Sequence, residues 1–259
     1  MGLVGLPLVW LFVKQHRPEY YGLLPDGATA EAEAADTRQM IDRGVRYAAE
    51  VQEVEFTFRQ AMRAPAFWLI LVARSVQSMA SPAITIHAIP FLTDIGIGPV
   101  VAAAMFAMLL VVGLPLRFIG GLLSDRIQKN HLRFILGGAY LMMAGGFALF
   151  LLNQTIPMIY AWFIVFGIGS GLDRGVMGPM QARYFGRKAF GSITGISAMI
   201  MTPVGIAAPV YFGWVYDTTG SYMNALTITT GLLVFAAVVI SLARPPRPPA
   251  EVTDIRTIV

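Results

Sequence analysis

Six long apolar stretches leave this chain few folds to choose from. They cover residues 66–92, 98–118, 133–152, 157–180, 191–216 and 222–243. Each holds roughly 20–27 residues, enough for a helix to cross about 30 Å of hydrocarbon at about 1.5 Å per residue. Only helices and closed barrels satisfy every backbone polar group inside a bilayer. Barrel strands are short and alternate apolar with polar residues. These runs are long and continuous, so the pattern predicts helices. Charged residues make up only 13% of the 259, about half the usual share. So few charges would leave a soluble fold of this size uncovered, which excludes an ordinary soluble enzyme, a disordered tail and a nucleic-acid binder. The expected fold class is all-α: a polytopic membrane protein with a six-helix bundle.

The basic residues orient the bundle. Seventeen of the nineteen Lys and Arg fall in alternate connections and in the two ends of the chain. The segment 14–63 carries Lys14, Arg17, Arg38, Arg43, Arg46, Arg59 and Arg63, whereas the turn 93–97 carries none. Arg117, Arg126, Lys129 and Arg133 follow the second span, and Arg183, Arg187 and Lys188 follow the fourth. The turns 153–156 and 217–221 again have none, and the tail has Arg244, Arg247 and Arg256. An excess of Lys and Arg marks the cytoplasmic side. The expected location is the cell membrane, multi-pass, with the C-terminus cytoplasmic.

The domain reading follows the same boundaries. Residues 1–13 are apolar, too short to span, and followed rather than preceded by positive charge. A signal peptide has the opposite order, so the stretch reads as the back part of a preceding transmembrane helix. Residues 14–63 form a cytoplasmic central loop, in which Ile41, Val45 and Ala48 mark one face of an amphipathic helix. Residues 64–243 form the six-helix bundle, and 244–259 a short cytoplasmic tail. Among the aromatic residues, Trp68 and Tyr184 fall near the inner face, and Tyr160, Trp162, Trp214, Tyr216 and Tyr222 near the outer one, as interface anchors would.

Ionisable groups inside a membrane are costly and mark pathways or binding sites. Four lie well inside the spans: Arg74, His87, Asp173 and Arg174. Counting residues puts Arg74 roughly 7 Å, and Asp173 and Arg174 roughly 6–8 Å, to the cytoplasmic side of the midplane. These three would meet if the first and fourth spans are neighbours. Their summed charge of +1 leaves one Arg free for an anion, and the planar guanidinium suits a carboxylate. Two readings stay open: a substrate-binding site, or an ion pair that fixes helix packing. His87 reads either as a satisfied interfacial histidine or as a proton relay. With no Cys and three His, neither a metal centre nor a cofactor is expected.

Glycine supplies the next pattern. Gly167, Gly171 and Gly175 form a G-x-x-x-G-x-x-x-G ridge in the fourth span, and Gly191 and Gly195 repeat the spacing in the fifth. Such ridges let helices approach closely in lipid. With Pro203, Gly205, Pro209 and Gly213 they also suit helices that bend during a cycle.

The connection after the second span runs from Arg117 to Arg133 and contains Gly121-x-x-x-Asp125-Arg126 followed by Lys129. This resembles the cytoplasmic signature loop of the major facilitator superfamily. Arg17-Pro-Glu-Tyr-Tyr-Gly-Leu-Leu-Pro-Asp-Gly27, Tyr184-Phe-Gly186 with Phe190-Gly191, and Phe212 to Tyr222 resemble the branch of oxalate/formate antiporters and monocarboxylate carriers. The resemblance implies two six-helix halves around a central cavity, with this chain matching the second half and the first and fourth spans lining the cavity. It also implies that Gly121, Asp125 and Arg126 form a cytoplasmic gate motif.

The expected function is therefore secondary active transport of a small solute, an organic anion of monocarboxylate type, by alternating access. The expected partners are a small-molecule substrate, the lipid bilayer and an N-terminal six-helix half, from the same gene product or from a partner chain; no nucleic acid is expected. A non-transporting sensor or scaffold is the competing reading, but neither residues 14–63 nor the tail resembles an independent signalling domain. An inactive transporter fragment is another. An enzyme is not expected, because the spans hold no paired carboxylates or Ser-His-Asp set.

Overall fold

The computed structural model describes residues 56–186 and 189–247. The expected partial helix over 1–13, the amphipathic face at Ile41, Val45 and Ala48, and the tail beyond 247 lie outside the described residues.

The described residues form seven helices and, among them, no strand. A short α1 (Phe58–Arg63) precedes six long ones: α2 (Pro65–Asp94), α3 (Pro99–Arg126), α4 (Leu132–Leu152), α5 (Ile156–Phe185), α6 (Phe190–Thr219) and α7 (Met223–Leu242). All six long helices are apolar and long enough to cross a membrane. The protein is thus a multi-pass, all-α bundle, as its hydropathy predicts.

Local chemistry sets the helix ends. Thr57 and Gln60 form a capping box at the start of α1, with Thr57 N–H donating to Gln60 Oε1 at 2.8 Å. Proline opens α2 and α3 at Pro65 and Pro99, where a missing N–H costs nothing. Gly220, with φ of 68°, ends α6 in the left-handed conformation that glycine adopts without a Cβ penalty. The second helix extends past its expected end. The apolar run stops at Phe118, yet α3 continues to Arg126. A helical backbone satisfies its own hydrogen bonds whatever the side chains, so polarity alone does not end it.

Side by side, the helices follow the order α3, α5, α4, α7, α2, α6, with α2 also touching α3. At one end, Phe67 of α2 meets Phe185 of α5 edge-on, and Tyr184 Oη donates to the Ala243 carbonyl at 3.1 Å. Arg126 and Arg183 lie at this end too, which makes it the basic one. At the other end an aromatic core joins α2, α4 and α5 through Phe91, Phe150 and Trp162. Trp162 is only 2% exposed and stacks on Phe163 at 4.5 Å, so it is a core residue and not an interface anchor.

Candidate functional site

The glycine ridge of α5 fixes the site's frame. A Cβ at Gly167 would meet the Leu109 carbonyl oxygen at 2.9 Å, and Cβ atoms at Gly171 and Gly175 would run into the carbonyls of Gly113 and Arg117. The ridge is a backbone-to-backbone seam with α3. On the adjacent face, a Cβ at Gly169 would strike the Ala139 carbonyl of α4. Three helices are therefore locked together around the stretch of α5 that carries Asp173 and Arg174.

The seam sets what surrounds these charges. Asp173 is 3% exposed and faces into the bundle, while Arg174, turned about 100° away, is exposed. Arg74 of α2 is half-buried and close enough to act electrostatically on the Asp173 carboxylate. Tyr140 of α4, fully buried, also acts on it. No hydrogen bond of ordinary geometry closes this group. Arg74 Nε, Tyr140 Oη and Asp173 Oδ1 are all buried without a partner.

Two residues join the set that the apolar pattern did not single out. Tyr140 reads as one more aromatic in an apolar span; the clue was the run of small residues around it, Gly137-Gly138-Ala139, which marks close helix packing. Arg117, grouped by sequence with the connection after the second span, lies well inside α3. Its backbone meets Gly175, and its side chain is exposed. Measured from the basic end, Arg74, Arg117, Asp173 and Arg174 all lie roughly 14–18 Å into their helices at about 1.5 Å per residue.

The other expected residues lie away from this level. His87 is half-buried near the opposite end, its Nε2 3.0 Å from the Pro209 carbonyl and its Nδ1 3.2 Å from Tyr222 Oη. It clasps α2 to α6 and to the start of α7. The cavity beside it, shared with Phe91 and Trp162, is ≈ 20 Å³, room for about one water and not for an organic anion.

Gly121, Asp125 and Arg126 occupy the last two turns of α3, with Asp125 and Arg126 exposed. Asp125 sits at the negative end of its own helix dipole, so its stabilising partner is not that helix. Arg183 of α5 donates from Nη1 to the carbonyls of Ser124 and Ile127, the latter at 2.7 Å, and thereby holds both sides of the Asp125-Arg126 turn. Sequence reasoning counted Arg183 only as a basic loop residue.

A bundle of six helices long and apolar enough to cross a membrane defines a polytopic membrane protein. The chain belongs to the Major Facilitator Superfamily, whose family profile matches residues 1–172. It is 24% identical over 179 residues to Monocarboxylate transporter 12 of Mus musculus, covering 68% of this chain and 37% of that protein. The human protein of the same name is 24% identical over 182 residues, covering 68% of this chain and 34% of the relative. Monocarboxylate transporter 12-B of Danio rerio is 24% identical over 162 residues, with 60% and 34% covered. The chain thus matches little more than a third of the length of these curated relatives.

Proposed function

We propose that this chain is one six-helix half of a secondary carrier for a small organic anion of the monocarboxylate type, working by alternating access with a second six-helix half. One observation carries the reading: three arginines and a single carboxylate share one depth within the membrane helices. Asp173 is buried at this level, and ionisable groups within membrane helices are costly and mark pathways or binding sites. Three cations against one anion leave a net charge of +2, which a carboxylate substrate lowers to +1, and guanidinium groups bind carboxylates through two parallel hydrogen bonds. Arg74, Arg117 and Arg174 are the substrate-binding residues, with Asp173 as their fixed counter-charge. Membership of the superfamily and the names of the matched relatives support transport, and the share of their length that is matched fits a second half. Gly121, Asp125 and Arg126 form the cytoplasmic gate, pinned by Arg183. The basic ends face the cytoplasm of a cell membrane by the positive-inside rule.

The test is uptake of radiolabelled pyruvate by cells expressing this chain together with any in-frame coding sequence upstream of Met1. Arg74→Ala, Arg117→Ala and Arg174→Ala should each lower uptake by about tenfold or more, the cost of losing a charge-assisted hydrogen bond. Undiminished uptake in all three sinks the anion site.

A further inference from the structure

The wall formed by α4 and α7 differs from the rest of the bundle. Arg133, in the first turn of α4, is the one charged residue in either helix. Phe134, Leu141, Val238 and Leu242 on this wall are each more than half exposed, an apolar surface matched to acyl chains. The two helices run antiparallel and approach closely, since a Cβ at Gly137 would run into Ser241. The start of α4 therefore lies beside the end of α7, at the basic end of the bundle.

Cations gather at that junction. Lys129 precedes α4, Arg244 and Arg247 follow α7, and all three are exposed. Arg133 holds its guanidinium 4.5 Å from the centroid of the Phe134 ring, which orders a long side chain at the edge of the apolar wall. Its Nε is buried without a partner. Arg133 also lies within electrostatic reach of Tyr184, whose Oη donates to the Ala243 carbonyl at 3.1 Å. The end of α5 thus ties the two helix ends together beside the cations. No Asp or Glu occurs in residues 127–134 or 241–247. Asp125, the nearest carboxylate along the chain, is followed directly by Arg126.

We propose that this junction binds one anionic phospholipid, with its phosphate on Arg133, Lys129 and Arg244 and its acyl chains along Phe134, Val238 and Leu242. Guanidinium groups hold phosphate oxygens through two parallel hydrogen bonds, and basic groups at a membrane surface attract anionic headgroups. The apolar wall decides the source of the phosphate. Free phosphate finds the cations but makes no use of the wall. A zwitterionic lipid finds the wall, but its own ammonium offsets its phosphate. An anionic lipid uses both. The site lies apart from Arg74, Asp173 and Arg174, so it stands whether or not the carrier reading does.

The test is native mass spectrometry of the full chain released from detergent micelles. The chain is titrated with phosphatidylglycerol, with phosphatidylcholine of the same acyl chains, and with inorganic phosphate as a competitor. Phosphatidylglycerol should bind at least about tenfold more tightly than phosphatidylcholine, and inorganic phosphate should not displace it. Arg133→Gln, and separately Arg244→Gln with Arg247→Gln, should each weaken phosphatidylglycerol by about fivefold or more and leave phosphatidylcholine unchanged. Arg63→Gln removes an exposed charge from α1 at the same end and should change neither. Equal affinity for the two lipids overturns the proposal, as does displacement by inorganic phosphate. A loss in Arg63→Gln as large as that in Arg133→Gln also overturns it, because the attraction would then belong to the whole basic end. Should Arg133→Gln fail to fold, the pair at Arg244 and Arg247, exposed beyond the end of α7, carries the test, and unchanged affinity there counts against the site.

Discussion

In α5 the glycines at 167, 171 and 175 lie against the backbone of α3, whereas in α6 Gly191 and Gly195 have no atom within 4 Å of an added Cβ. The spacing is the same and the surroundings are opposite. Lipid tails are as apolar as leucine, so helices in a bilayer associate through close packing and not through burial of greasy surface. A G-x-x-x-G ridge lowers the cost of approach but does not choose a partner. In α5 the partner is α3, whose Gly113 and Gly120 offer complementary grooves. In α6 both glycines are exposed, and the helix is held mainly through α2. The difference matters for the site, because Asp173 sits between two seam glycines and inherits the rigidity of that packing.

The sharpest way to break this comparison is to fill the seam. Gly171→Ala with Gly175→Ala places two methyl groups against the carbonyls of Gly113 and Arg117. Overpacking of this kind costs about 1–3 kcal/mol per site, so the double variant should lose about 3 kcal/mol or more. The loss should appear as a lowered melting midpoint in detergent. A midpoint within error of the wild type would show that α3 and α5 are not seamed.

The basic end of the same seam gives the next largest effect. Arg183 bonds the carbonyls of Ser124 and Ile127 at the end of α3. Removing a charged donor from two such acceptors costs about 1.5–3 kcal/mol, so Arg183→Gln should destabilise by about 2 kcal/mol. It should also speed hydrogen exchange in the last turn of α3 while leaving α6 unchanged. Uniform exchange across both helices would argue that the clasp is not local.

Moving to the looser side, His87 ties α2 to α6 through Pro209 and to Tyr222. His87→Phe keeps the ring beside Phe212 and Tyr222 but removes both polar contacts, at a cost of about 1 kcal/mol. The same melting assay should rank it below Arg183→Gln. A larger loss would make α6 a tightly held helix after all.

The sequence showed six spans because length and continuity of apolar runs are one-dimensional properties, as is the alternation of basic connections. Depth was legible too, since a helix converts residue number into distance, and this places Arg74 near the level of Asp173 and Arg174. What stayed hidden depends on which helices touch. Tyr140 acquires meaning only when α4 closes on Gly169. Arg117 was grouped with a loop because charge ends a hydropathy window, although it does not end a helix. Trp162 reads as a membrane-interface ring until Phe91, Phe147 and Phe150 are seen around it. His87 could be counted at its depth, but its two partners lie 122 and 135 residues away along the chain.

The smallest expected effect is the most discriminating. Gly191→Ala and Gly195→Ala add a methyl where nothing stands within 4 Å. Alanine also restricts the unfolded backbone more than glycine, which favours the helix. With no clash to oppose it, each change should be neutral to slightly stabilising, by at most about 1 kcal/mol. The single Gly171→Ala change is chemically identical and should be clearly destabilising, so the pair isolates environment from residue type. A melting loss at Gly191 or Gly195 equal to that at Gly171 would erase the distinction between the helices. Unchanged melting at both positions would show that the open face of α6 takes no part in the folding of this bundle.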